Sequence, residues 1–358
     1  MNSLYHHRHG GQADPESHQQ ALLDFSVNIS PIFPFDKPLT IDPAVWQAYP
    51  SIDGRGVREF YMRRFGLEEL SVFPLNGAIE GIYLLPRALG IRRMLLLSPS
   101  FYEYGRAALV AGADTTSVPL LAADGFMLPP DGELACLVAK HDAFFVANPN
   151  NPTGTLFPPE LTMSLARRFP DKWFFVDEAF IQFLPDFSEV SLMRKAQAFR
   201  NIVVVHSLTK FYALPGLRLG ALVAHPDTVT KLYGFKEPWT VNAVAEGVAC
   251  ELAACGGYET ALMELMTTER ERIVSALSEV QEFRVAGGAA NFFLMQWRGR
   301  GSLDRLLGHL LQQGIAVRDC RNFAGLEENF FRFAIRTPRE NDLLLEAFRA
   351  VLEKTEDG

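Results

Sequence analysis

A lysine, Lys210, stands between a valine-rich run and an aromatic one in "VVVHSLTKFYALPGLRLG" (residues 203–220). Lysine is rarely buried without a partner or a task. Two other short apolar runs in the chain end in comparably polar sequence. "NPNNPTG" (residues 148–154) follows the run 143–147, and its two Asn-Pro steps and closing glycine make a rigid polar loop. "DEAF" (residues 177–180) follows the run 173–176. Its Asp177 is either a helix cap or a buried carboxylate awaiting a cation. Ser207 lies just before Lys210, and Arg218 lies eight residues after it. The three runs thus deliver an amide, a carboxylate and a hydroxyl–lysine–arginine set.

One ligand uses all of these groups. Pyridoxal phosphate offers an aldehyde to a lysine, and its ring nitrogen is a strong electron sink when a carboxylate keeps it protonated. Its phenolic oxygen accepts hydrogen bonds, and its phosphate suits an arginine, a serine and a helix N-terminus. "NGAIEGIY" (residues 76–83) supplies such a terminus, because the Gly77-Ala78 turn opens a helical pattern with free backbone N–H groups. A covalent bond to the cofactor would replace a bare buried ammonium at Lys210.

The elements that must position these residues are legible from hydrophobic patterning. Short apolar runs at 94–97, 143–147, 173–176, 202–205 and 219–224 are leucine-rich, β-branched or aromatic, with turn-forming or polar residues close to their ends. Near-continuous hydrophobicity in short strands predicts a mostly parallel sheet covered on both faces by helices, an α/β fold. In such sheets ligands bind at the carboxyl ends of the strands. A helical stretch after Val241 runs past Arg270, with a break expected at Gly256-Gly257. Strand patterns at 283–284, 292–296 and 330–335, and a helix over 341–352, then predict a smaller α+β unit. The expected organisation is an arm with part of the small domain at 1–45, a large domain at 46–260 and a small domain at 261–358.

The chain has 358 residues, 48% of them hydrophobic and 21% charged, with a formal net charge of −8. An acidic balance argues against nucleic-acid and anionic-membrane partners, which need a basic surface. No apolar run is long enough to span a bilayer, and without an apolar signal core near the start the expected location is cytoplasmic. The four cysteines have neither CxxC nor metal-ligand spacing, so no metal is expected and the thiols read as reduced.

Taken together, "NPNNPTG", "DEAF" and "SLTKFYALPGLRLG" resemble the fold-type-I pyridoxal-phosphate enzymes of the class I/II aminotransferase superfamily, over nearly the whole chain. The resemblance implies that Lys210 carries the cofactor, Asp177 pairs with its ring nitrogen and Asn151 bonds its phenolic oxygen. It further implies that Ser207, Arg218 and the Gly77-Ala78 backbone hold the phosphate, and that the ring of Phe101, in "SPSFYEYGRA", stacks on the cofactor. Tyr49, in "AYPSIDG", would reach the phosphate of a neighbouring subunit, which implies a homodimer with shared sites. Arg332, in "FFRFAIRTP", would clamp the substrate carboxylate in a bidentate fork.

Within that superfamily the sequence is similar to two branches, the histidinol-phosphate aminotransferases and the threonine-phosphate decarboxylases. "HGG" (residues 9–11), "LLDFSVNISP" (22–31), "PWTVNA" (238–243), "VRDCRNFAGL" (317–326) and Arg336 resemble the decarboxylase branch. Phe180 stands where the aminotransferases place a tyrosine, and it cannot make that tyrosine's hydrogen bond. The resemblance therefore implies loss of CO2 from a phospho amino acid, threonine phosphate before serine phosphate, with an aminotransferase as the alternative. Arg318, Arg332 and Arg336 are the expected anchors of the substrate anions, and His9 with Gly10 would close over the substrate phosphate.

Overall fold

In the computed structural model, residues 11, 22–36, 39 and 42–356 are described. Strand β1 (Leu23–Asp24) precedes the seven strands of a large sheet. These are β2 (Val72–Asn76), β3 (Arg93–Ser98), β4 (Asp114–Pro119), β5 (Ala143–Ala147), β6 (Trp173–Asp177), β7 (Ile202–Ser207) and β8 (Leu219–Ala224). Their spatial order is β2-β8-β7-β6-β5-β3-β4. The neighbours from β7 to β4 pair in parallel, and β8 runs antiparallel to both β7 and β2. The α/β class and mostly parallel sheet expected from the sequence are what the chain adopts.

Alternation within the central strands explains their near-continuous hydrophobicity. Ile202 and Val204 join one apolar cluster while Val203 and Val205 join a second. Successive side chains point to opposite faces, and helices cover both. Two strands escaped the hydrophobic reading for physical reasons. β2 contains Pro74 and β4 is largely exposed and polar. Both lie at sheet edges, where a proline is tolerated and solvent replaces a second layer of packing.

A second sheet is antiparallel, built from β9 (Phe283–Gly287), β10 (Phe292–Trp297), β12 (Arg318–Asp319) and β13 (Phe330–Ala334) in the order β12-β13-β10-β9. The short β11 (Ile315–Ala316) pairs instead with β1, in parallel, which anchors the N-terminal segment beside the second sheet. The helical stretch after Val241 forms two helices, Ala243–Leu252 and Gly256–Ser278. Its break falls at residues 253–255, and Gly256-Gly257 opens the second helix instead of ending the first. The last helix runs over Pro338–Glu356, longer than its apolar pattern predicts.

The two sheets meet where side chains are missing. Ala289 N donates to Gly154 O at 3.1 Å, and a Cβ on Gly287 would collide with the Thr153 carbonyl oxygen. Backbone therefore packs on backbone between the β9–β10 turn and the loop that carries Asn151.

Candidate active site

The carboxyl ends of β5, β6 and β7 open into a cavity of about 310 Å³. Asp177 is the last residue of β6, in register with Ala147 on one side and Val205 on the other. Ser207 ends β7, and the chain turns at once so that Lys210 enters the same space. Asn151, Phe101, Ala78, Arg218, Arg318 and Arg332 also line it. The residues expected from three separate strand ends are thus brought together.

Asp177 is buried, and its carboxylate accepts from Tyr104 Oη at 2.8 Å and from the Ala179 N–H at 2.9 Å. Burial pushes its carboxyl up to about 6, against the lowering effect of those bonds and of Lys210. Lys210 shows the opposite trend. Burial first, then the charges of Arg332 and Arg218, lower its ammonium to about 8. Its Nζ forms no hydrogen bond or ion pair among the described residues. The main chain of Lys210 is held from the N-terminal segment, where Ser30 N donates to its carbonyl at 2.9 Å.

Beside them is a place shaped for an oxyanion. The helix Ala78–Ala88 begins with no side-chain cap, and Gly77 precedes it at φ +75°. A Cβ there would strike the Arg218 guanidinium, so only glycine lets the arginine lie over the helix start. Arg218 itself adopts a left-handed conformation at φ 58° and bonds the Pro215 carbonyl through Nη1 at 3.0 Å. Ser207 Oγ lies 2.9 Å from Thr209 Oγ1 on the same wall.

The far wall comes from the second sheet. Arg318 and Arg332 are register partners on β12 and β13, and both are buried. Neither forms an ion pair among the described residues. Arg332 donates to Asn151 Oδ1 and, through Nη2, to Ser26 O at 3.1 Å. Its Nε is buried without a partner, its guanidinium lies 5.3 Å from the Phe292 ring centroid, and burial lowers its pKa to about 10. Arg318 bonds Asn322 Oδ1 at 2.8 Å and the Asp319 carbonyl, 5.3 Å from the Phe323 ring centroid.

Other expected residues are placed differently. Arg336 does not line the cavity: its Nη2 pairs with Glu340 at 2.7 Å and its Nη1 bonds Asp24 O at 3.2 Å. Glu340, in the first turn of the last helix, supplies a carboxylate that already pairs with this guanidinium. Tyr49 lies away from the cavity, 83% exposed, with its ring 5.1 Å from Trp239. His9 and Gly10 lie outside the described residues. Their neighbour Gly11 bonds Ser26 Oγ at 2.9 Å, and Ser26 lines the cavity. Phe180 also lines it, edge-on to Phe292.

Several site residues went unread in the sequence. Tyr104 sits three residues after Phe101, the spacing that would place both on one helix face, yet nothing local says that its hydroxyl meets Asp177. Asn28 enters the cavity wall with Oδ1 buried and unpartnered, and it carries no motif of its own.

The profile of the family described as "Aminotransferase class I and II" matches residues 45–348. The chain belongs to this family. Among relatives, the threonine-phosphate decarboxylase of Salmonella typhimurium is 33% identical over 98% of both chains. The histidinol-phosphate aminotransferase of Symbiobacterium thermophilum is 30% identical over 92% of this chain and 91% of the relative. The structure of histidinol-phosphate aminotransferase from Clostridium acetobutylicum superposes with a TM-score of 0.83 at 26% identity, covering 93% of this chain and all of that one. Members of this family are pyridoxal-phosphate enzymes. The side chains here suit that cofactor: an unpaired buried amine, a buried carboxylate across the cavity, and an uncapped helix start under an arginine. No helix among the described residues is long and apolar enough to cross a membrane.

Proposed function

We propose that the chain catalyses pyridoxal-phosphate-dependent loss of CO2 from an O-phospho amino acid, with L-threonine O-3-phosphate as substrate and the phosphate ester of 1-amino-2-propanol as product. The observation that carries this reading is the paired guanidinium groups of Arg318 and Arg332. They are adjacent in register, buried, and without an ion-pair partner among the described residues. Burying two cations without anions is costly, so the wall suits a ligand that brings more than one negative charge. A phospho amino acid brings a carboxylate and a phosphate. The similarity to the Salmonella typhimurium enzyme supports the same reading.

When bound, the cofactor supplies an electron sink for the bond at Cα that stands perpendicular to its ring. Asp177, whose carboxyl burial raises to about 6, would pair with the cofactor's ring nitrogen and favour its protonated form. Tyr104 holds that carboxylate in position. Asn151 spends its carbonyl oxygen on Arg332, which leaves its amide N–H groups to donate to the ring oxygen. Ser207, Arg218 and the Gly77-Ala78 backbone would hold the cofactor phosphate. Arg332 would fork the substrate carboxylate and Arg318 would take the second anion, and the pair would thereby orient the substrate for loss of CO2. Lys210, near pKa 8, holds or releases a proton close to neutral pH and can return one to Cα. Phe180, on the cavity wall, has no hydroxyl to offer the cofactor's ring oxygen.

Incubating the purified protein with L-threonine O-3-phosphate tests the proposal. Release of one CO2 per amino alcohol phosphate is the expected result. Formation of a keto acid with no CO2 would assign the chain to the aminotransferase branch instead.

A further inference from the structure

A buried ion pair lies under the start of the helix Ala78–Ala88. Lys236 Nζ sits 3.0 Å from Glu80 Oε1 and donates to Thr240 Oγ1 at 2.6 Å. Only 3% of the Lys236 side chain and 18% of the Glu80 side chain are exposed. The same ammonium lies 4.9 Å from the Phe73 ring centroid. The other carboxylate oxygen of Glu80 accepts from Asn76 N at 2.5 Å, and Glu80 N donates to Gly77 O at 3.1 Å. Glu80 is thus bonded to both residues of the turn that precedes the helix.

This placement sets two effects against each other. A carboxylate in the first helical turn is favourable by itself, because it faces the positive end of the helix dipole. Here, however, the same helix start lies beneath Arg218 and is the place assigned to a phosphate. A bare anion one turn away would repel a dianionic phosphoryl group through partly buried surroundings, where screening is weak. Lys236 cancels that charge. It comes from the segment between the helices Pro226–Tyr233 and Ala243–Leu252, so it also ties the turn at residues 76–77 to a distant part of the chain.

We propose that Lys236 is a positioning residue for the phosphate cradle: by neutralising Glu80 it leaves the helix start attractive to a phosphoryl dianion while Glu80 holds the Asn76-Gly77 turn in shape. This rests on the assignment of the cofactor phosphate to Gly77, Ala78, Ser207 and Arg218.

The test compares binding of pyridoxal phosphate and of pyridoxal, the same ring without the phosphate, to cofactor-free protein by absorbance titration. Lys236→Met is expected to weaken pyridoxal phosphate on the order of tenfold and to leave pyridoxal almost unchanged. Adding Glu80→Gln to that variant should restore the affinity, because the uncompensated charge is gone. Equal losses for the two ligands, or a double variant no better than Lys236→Met, would overturn the proposal. Should Lys236→Met not accumulate as folded protein, Glu80→Gln alone decides. It is expected to bind pyridoxal phosphate as tightly as the parent or more tightly, and weaker binding would refute the charge argument. Arg218→Gln separates the two levels: if it fails to discriminate between the ligands, the cradle assignment itself falls.

Discussion

Tyr104 and Asp177 form a buried contact at the end of the cavity proposed for the cofactor ring. The phenol donates at 2.8 Å to a buried carboxylate, and its ring stacks on Phe145 at 4.2 Å. Tyr104→Phe keeps the stacking and removes the bond. Loss of a hydrogen bond to a buried charge costs about 1–3 kcal/mol and raises the Asp177 pKa further, since that bond lowers it. The variant should lose turnover by roughly tenfold or more, steady-state kinetics being the check, while a wild-type rate would remove Tyr104 from the site. Lys210 gives a second prediction. Its neutral amine is the form that captures an aldehyde, so the rate at which cofactor-free protein takes up pyridoxal phosphate should climb with pH and level off above about 8. Arg332 lowers the Lys210 pKa and Asp177 raises it. Arg332→Met should therefore shift the midpoint to higher pH and Asp177→Asn to lower pH, as stopped-flow absorbance would reveal. Shifts of the opposite sign would contradict the proposed electrostatics.

At the scale of elements, the site depends on how closely the β9–β10 turn approaches the loop after β5. Asn151 belongs to the large sheet and Arg332 to the small one, and they bond directly. That bond is possible because Gly287 and Gly154 bring the two backbones into contact without side chains. Gly287→Ala inserts a methyl group against the Thr153 carbonyl, which must move. Overpacking of this kind costs about 1–3 kcal/mol. The variant should melt several degrees lower in calorimetry, and its KM should rise more than its kcat falls, because the proposed role of the displaced arginine is to bind substrate. An unchanged melting temperature and KM would show that the contact is not limiting. Much of this scale was legible beforehand. The strands β5, β6, β7 and β8 read directly from buried apolar runs, because each is covered on both faces. The edge strands β2 and β4 did not, because one is interrupted by a proline and the other faces water.

For the whole molecule, the N-terminal segment, both sheets and an exposed aromatic surface have to be considered together. Tyr49 is 83% exposed, Ile52 62%, Trp46 59% and Trp239 47%, and Trp239 holds a left-handed backbone conformation at φ 59°. A cluster of large apolar side chains at the surface marks an interaction face. The proposed partner is a second copy of the chain, with Tyr49 reaching the other copy's cofactor phosphate. The protein is expected to sediment at twice the chain mass, and Ile52→Glu to raise the dissociation constant at least about tenfold by burying a charge in that face. A parent that sediments as a monomer would contradict the arrangement.

The sequence by itself determined the chemistry that the chain carries. An amine, a carboxylate and an amide follow buried runs that local pattern defines as strands, and a Gly-Ala turn opens a helical pattern whose first N–H groups are free. Arg218 and Gly77 were readable from their places beside such elements, whereas the choice of Asn151 within its loop came from the family resemblance. Only the tertiary structure decided which arginines line the cavity and who touches whom. The family resemblance puts Arg332 first and leaves Arg318 and Arg336 level, but register sets Arg318 beside Arg332 facing the cavity, while Glu340 in the first turn of the last helix engages Arg336. Tyr104 against Asp177 and Lys236 against Glu80 are likewise contacts across long sequence separations. Such contacts follow from how helices and sheets pack, and no local pattern encodes them.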